Sequence, residues 1–147
     1  MDKRKIQELI PIAMDAIESV GIVDTTTASF EKVHKGYINA LGPNIVQSGL
    51  LPTLIFYNKE ERELWLKALY YMEMKQEGRE MTDPDFTAII KLAIDEKAGD
   101  LKTLATGPEH KMWEKKILEY AVALKLALRT FTAKEASKED EKGGKGQ

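Results

Sequence analysis

The chain has no cysteine. That excludes disulfides, thiolate nucleophiles and cysteine-ligated metal sites. Histidine is nearly as scarce, represented only by His34 and His110. Neither has a second histidine one helical turn away, and no acidic cluster falls at metal-ligand spacing, so both are read as structural. A basic excess is also missing. The 147 residues carry 22 Lys and Arg against 24 Asp and Glu, for a net charge of -2 and a pI near 5.8. A domain that binds nucleic acid unaided shows a strong basic excess. Any such contact here must come from a local basic face, or from a larger assembly that supplies most of the charge. No apolar run is long enough to span a membrane. Met1-Asp2-Lys3-Arg4-Lys5 leads into an amphipathic pattern containing Gln7 and Glu8, where a signal peptide would show an unbroken apolar stretch. The expectation is a cytoplasmic protein with no membrane partner.

Catalytic motifs are absent as well. Gly42 and Gly49 are not followed by Lys-Ser/Thr, and helical patterns flank them where a phosphate loop needs a strand. Ser19, Ser29, Ser48 and Ser137 lack the context of a nucleophile elbow. Asp83 and Asp85 straddle Pro84. They could form a metal or acid/base pair, but an N-cap followed by a first-turn acid explains them more simply. No residue set supports catalysis, and no cofactor or metal is expected.

What is present is helix. Ile6, Leu9, Ile10, Ala13, Ile17 and Val20 recur at helical spacing, with Pro11 as an expected kink and Gly21 as a stop. Asp24-Thr25-Thr26-Thr27 offers N-caps for a second helix striped by Phe30, Val33, Tyr37, Ile38 and Leu41. Gly42-Pro43 then predicts a break, Gly49 a second break, and Pro52 a tolerated first-turn proline. Leu41 to Tyr57, LGPNIVQSGLLPTLIFY, therefore reads as a short helix, a tight turn and a further apolar helix. Asn58 and Glu61 suggest a capping box opening a helix to about Gln76, with Gly78 as its stop. That helix, with Leu64, Trp65, Leu66, Leu69, Tyr70, Tyr71, Met72 and Met74, has almost no polar face. It must be buried in the core or against partners. Phe86, Ile89, Ile90 and Ile94 stripe another helix, opened by Asp83-Pro84 and closed by Gly99. The last starts at Thr106-Gly107-Pro108-Glu109, a capping box with an N1 proline, and runs through Trp113, Ile117, Tyr120, Leu124, Leu128 and Phe131 to about Lys134.

No stretch alternates in the period-2 manner of a half-buried strand. The expected fold is all-α, a compact single-domain bundle of about six or seven helices over residues 1–134. Residues 135–147 form a charged tail expected to be disordered. Basic residues group as Lys3-Arg4-Lys5, as Lys32 and Lys35, as Lys111, Lys115 and Lys116, and as Lys125 and Arg129. Each group could face phosphate, although such residues are usually the solvated side of an amphipathic helix.

The run Tyr37 to Lys59, YINALGPNIVQSGLLPTLIFYNK, resembles the small α-helical subunit of type III-B CRISPR effector complexes, the Cmr complexes. The matching elements are the aromatic and small residues of the first helix, the turn Gln47-Ser48-Gly49-Leu50, the helix Thr53-Leu54-Ile55-Phe56 and the basic Lys59. Leu128-Arg129-Thr130-Phe131-Thr132-Ala133 resembles the closing motif of that family. The resemblance implies a non-catalytic subunit that stacks with further copies of itself along the effector. It would help hold guide and target RNA in antiviral defence while other subunits cut. By position it implies RNA-backbone contact from Arg4, Lys35, Lys59 and Arg129, a polar contact from Gln47, and subunit packing through Trp65 and Tyr70. The alternative is a generic helical adaptor that docks a partner protein on the apolar face of the fourth helix, without nucleic acid.

Overall fold

The computed structural model describes residues 2–79, 87–95 and 108–134. The all-α expectation holds. Six α-helices dominate the described chain, joined by one small three-stranded sheet.

Helix α1 spans Lys3–Ser19. Asp2 caps it, its Oδ1 accepting from the Arg4 and Lys5 backbone N–H groups at 2.9 and 3.4 Å, which supplies partners to otherwise orphaned first-turn donors. The buried stripe is Ile6, Leu9, Ala13, Ala16 and Ile17. Pro11 lies inside the helix on its exposed side, where the carbonyl it leaves without a donor can meet water. Gly21 is the predicted stop. At φ +87° it permits the Schellman pair Ile22 N–H to Ile17 O (3.1 Å) and Gly21 N–H to Glu18 O (3.2 Å).

Asp24 to Thr27 do not cap a helix. Val23–Asp24 is strand β1, Ser29–Phe30 is β2, and the two pair antiparallel. Asp24 Oδ1 instead accepts from Thr26 N–H at 2.9 Å, closing the turn between the strands. Thr132–Ala133 forms β3, parallel to β2 in the register Ser29 with Thr132 and Phe30 with Ala133. Phe30 therefore belongs to a strand, and the last helix stops short of Lys134. Two-residue strands are too short to show a period of two, so composition carries no sign of them.

Helix α2 spans Val33–Ser48 and α3 spans Leu50–Phe56. The break expected at Gly42-Pro43 does not occur. Both residues sit inside α2, with Pro43 on the exposed side. The carbonyl deprived of its donor belongs to Asn39, also exposed, so water can satisfy it and the helix continues. Gly49 alone makes the turn, at φ +96° and ψ 160°, a conformation that side chains strongly disfavour. Helix α3 then folds back along α2, burying Leu50, Thr53, Leu54 and Tyr57. The Tyr57 hydroxyl donates to the Tyr37 carbonyl oxygen at 2.5 Å and ties the hairpin shut. Burial pushes the Tyr57 pKa up to about 12 against a smaller opposing pull from Arg62 and a hydrogen bond with Asn44.

A 3-10 turn, Glu60–Arg62, leads into α4, Glu63–Gln76. The expected Asn58–Glu61 capping box does not form, because Lys59 and Arg62 occupy the flanking positions and neither side chain caps. Gly78, at φ +64°, does end α4, with Arg79 N–H to Met74 O at 2.8 Å. Helix α5 spans Ala88–Asp95 and α6 spans Pro108–Leu128. The expected Asp83-Pro84 start, the Gly99 stop, the Thr106-Gly107 cap and the 135–147 tail lie outside the described residues.

Helix α6 is the central element, packed along both α1 and α2, with α4 against α1 and α5. Trp65, Trp113, Tyr57 and Tyr120 are its neighbourhood's largest fully buried side chains. Helices α2 and α6 run antiparallel: Gly42 approaches Leu118, while Lys35, Ile38 and Asn39 meet Lys125, Leu128 and Arg129. No helix among the described residues is long and apolar enough to cross a membrane.

Candidate nucleic-acid interface

The antiparallel packing of α2 on α6 brings two of the predicted RNA-contact residues together. Lys35 and Asn39 lie one turn apart on an exposed row of α2, next to the buried row of His34, Ile38 and Leu41. Lys125 and Arg129 lie one turn apart where α6 ends. Between the rows is a cleft of about 220 Å³, floored by Phe30, Ile38, Leu128, Phe131 and Ala133. Leu128, Phe30 and Ile38 are buried, Phe131 is half-buried, and Lys35, Asn39 and Arg129 are exposed at the rim. Among the described residues no carboxylate pairs with Lys35, Lys125 or Arg129. The acid nearest in sequence, Glu31, is engaged by Lys134 at 3.2 Å. Three cations without a counter-charge among the described residues therefore ring an apolar floor.

The other sequence-chosen residues lie elsewhere. Gln47 is roughly three turns, about 18 Å, further along α2 than Lys35. Lys59 sits in extended backbone after the α2–α3 hairpin, exposed, with no contact to the cleft. Arg4 begins α1, next to Lys5. Lys5 lines another cleft, of about 210 Å³, with Lys115, Lys116, Glu77, Glu119 and Tyr120. Lys116 and Arg129 are more than three turns, about 20 Å, apart on α6, so the two clefts are separate.

In that other cleft acids stand beside the cations: Glu77 and Glu119 line it with Lys5, Lys115 and Lys116. Glu73 of α4 is 2% exposed. Its Oε2 accepts from Lys116 Nζ at 3.2 Å and its Oε1 from the Tyr120 hydroxyl at 2.7 Å. Burial, reinforced by the Glu73 acceptor and the surrounding carboxylates, pushes the Tyr120 pKa far above its ordinary value. This network ties α4 to α6.

Trp65, expected at a subunit interface, is 0% exposed, which is a correction: it faces its own core and presents nothing to a neighbour. Its Nε1–H donates to His34 Nδ1 at 3.1 Å. A buried indole needs an acceptor, and a buried histidine supplies it. Burial lowers the His34 pKa, with Glu61 and Glu31 pulling weakly the other way. Tyr70 is half-buried and packs on the core. The all-round apolar character of α4 could not distinguish core from partner in the sequence. The structure places Trp65, Leu66, Leu69, Met72 and Met74 inside. The largest exposed apolar side chains are instead Val46, Ile55, Phe56, Met112 and Val33. Four of these, all but Met112, belong to α2 and α3, and Arg62 covers the Phe56 ring at 4.2 Å.

His110 Nε2 lies 3.5 Å from Glu114 Oε2, an i,i+4 surface pair. Among the described residues no group of His, Asp and Glu is placed to hold a metal. Sequence reasoning missed Asn39, Phe30 and Phe131 as cleft residues. The i,i+4 pairing of Lys35 with Asn39 was the available signal for the first, whereas the strand pairing that carries Phe30 and Phe131 to the floor had none.

No protein-family model, curated protein or solved structure matches the chain.

Proposed function

We propose that this chain is a non-catalytic, RNA-contacting small subunit of a type III-B CRISPR effector, working in the cytoplasm beside copies of itself and larger subunits. The observation that supports the reading is the α2–α6 cleft. Lys35, two residues before the family-like run, and Arg129, within the closing motif, meet there with Lys125, all without acidic partners among the described residues. A net charge of -2 does not oppose it, since each copy in an assembly needs only a few phosphate contacts. Arg4, Gln47 and Lys59 stay as outlying contacts that only an extended strand or a neighbouring copy could connect to the cleft.

The test is purification of the tagged chain from its native cells. Larger effector subunits and RNA should accompany it. Recovery of the folded chain alone would overturn the reading. Within the assembly, Lys35→Glu with Arg129→Glu should lower target-RNA retention about a hundredfold and flatten its salt dependence.

A second reading, the helical adaptor, is favoured by the exposed Val46, Ile55 and Phe56. It would use the α2–α3 hairpin, because the α4 face is interior. Partner retention independent of salt, and lost on Phe56→Glu, would select it.

A further inference from the structure

The cleft has more in it than phosphate contact requires. Backbone phosphates need cations, and Lys35, Lys125 and Arg129 supply them. They do not need an apolar floor with an aromatic ring, and they do not need the amide of Asn39. An aliphatic anion would fill the floor, but it has no use for an amide that donates and accepts together. A nucleotide has all three features: a charged phosphate, a flat apolar face and an edge of donors and acceptors. In a duplex the faces are stacked and the edges are paired, leaving only phosphate to present. We propose that the α2–α6 cleft binds one unpaired nucleotide. Its phosphate lies among Lys35, Lys125 and Arg129, its base rests on Leu128 and Phe131, and its edge meets Asn39. This inference rests on the reading of the cleft as a phosphate-contacting face, and it adds selection for single strands over duplexes. The same chemistry could arrive as a residue of an RNA strand or as a free nucleoside monophosphate.

Backbone-amide NMR of the isolated chain at low salt detects millimolar binding and locates it. The probes are a uridylate decamer, the same decamer paired with its complement, a decamer of abasic ribose phosphate, uridine monophosphate, inorganic phosphate and decanoate. The decamer should shift residues around Lys35, Asn39, Arg129 and Phe131 and bind at least fivefold more tightly than the duplex or the abasic strand. Phe131→Ala should reduce decamer affinity about five- to tenfold, the scale of a lost base–aromatic contact. Asn39→Ala, at an exposed helix position and without a change of charge, should reduce it severalfold if Phe131→Ala proves too unstable to read. Saturation by uridine monophosphate near the decamer's affinity assigns the site to a free nucleotide, and a strong preference for the decamer assigns it to a strand. Equal binding of single strand, duplex and abasic strand, with Asn39→Ala silent and Arg129→Glu still weakening all three, would overturn the nucleotide site while leaving the phosphate face standing. Cleft shifts from decanoate as strong as those from the nucleotide probes would also overturn it. No shift at the cleft with any probe would overturn both readings.

Discussion

Helix α6 carries a cleft near each end, and the two have the same cationic content with opposite treatment of it. Lys5, Lys115 and Lys116 line the first together with Glu77 and Glu119, and Lys116 pairs with the buried Glu73. Lys35, Lys125 and Arg129 line the second, where among the described residues no carboxylate does. Counting lysines along a helix cannot separate these cases, because the distinction lies in what other helices bring opposite. The first cleft spends Lys116 holding α4 to α6 and sets acids beside its other lysines. The second leaves its three cations without an acid among the described residues.

The sharpest way to break this contrast is to remove the buried acid. Glu73→Ala strips the Tyr120 hydroxyl of its acceptor and Lys116 of its partner. A lost partner in a buried network is strongly destabilising. Lys116 is partly exposed and can turn to water, so the expected loss is about 3 kcal/mol, read by denaturant unfolding. A loss below about 1 kcal/mol would show that the first cleft is not structural, and the contrast would fail.

The next effect depends on pH. His34 precedes the rim residue Lys35 and accepts the Trp65 indole N–H through Nδ1, so it must be neutral there. Its folded pKa is lowered by burial, against about 6.5 in the unfolded chain. The unfolded chain therefore binds the proton more readily. The stabilisation is whole above pH about 6.5 and is lost as pH falls from there toward the lowered folded value. The slope is at most about 1.4 kcal/mol per pH unit. Unfolding titrations of the natural chain should show this decline and His34→Gln should lack it. Persistence of the slope in His34→Gln would move its origin to another group.

Charge reversal compares the clefts directly. Lys35→Glu should lower RNA retention in the assembly about tenfold, whereas Lys115→Glu at the other end should change it less than about twofold. Equal losses would mean that net charge, and not the α2–α6 cleft, governs retention.

Much of this frame is legible in the sequence. Gly21, Gly49 and Gly78 end helices as read, since each takes a positive φ that side chains resist. The buried stripes of α1 and α6 follow the 3.6 period. Gly42-Pro43 misleads because breakers act through unsatisfied backbone, and exposed Pro43 and Asn39 leave that backbone to water. The sheet escapes because its strands are two residues long and distant in sequence. Of the cleft, only Lys35, Lys125 and Arg129 are readable, as cationic helix positions. Their meeting depends on α6 stopping at Leu128 and the chain turning back to pair with β2. Trp65 is misread for the same kind of reason: its partner, His34, arrives from another helix.

The smallest expected effect bears most directly on what the second cleft is for. Charges recruited for stability lower it when deleted. Lys125 and Arg129 are like charges one turn apart, which weakens a helix by about 0.2–0.5 kcal/mol, and Lys35 adds a third cation to the same rim. Arg129→Gln should therefore leave stability unchanged or raise it by about 0.3 kcal/mol, read as a small rise in thermal midpoint. The same substitution should weaken RNA retention. Opposite signs in the two measurements would mark these cations as serving a ligand at the expense of the fold. A fall in stability of more than about 1 kcal/mol would instead give Arg129 a structural partner and make the two clefts alike.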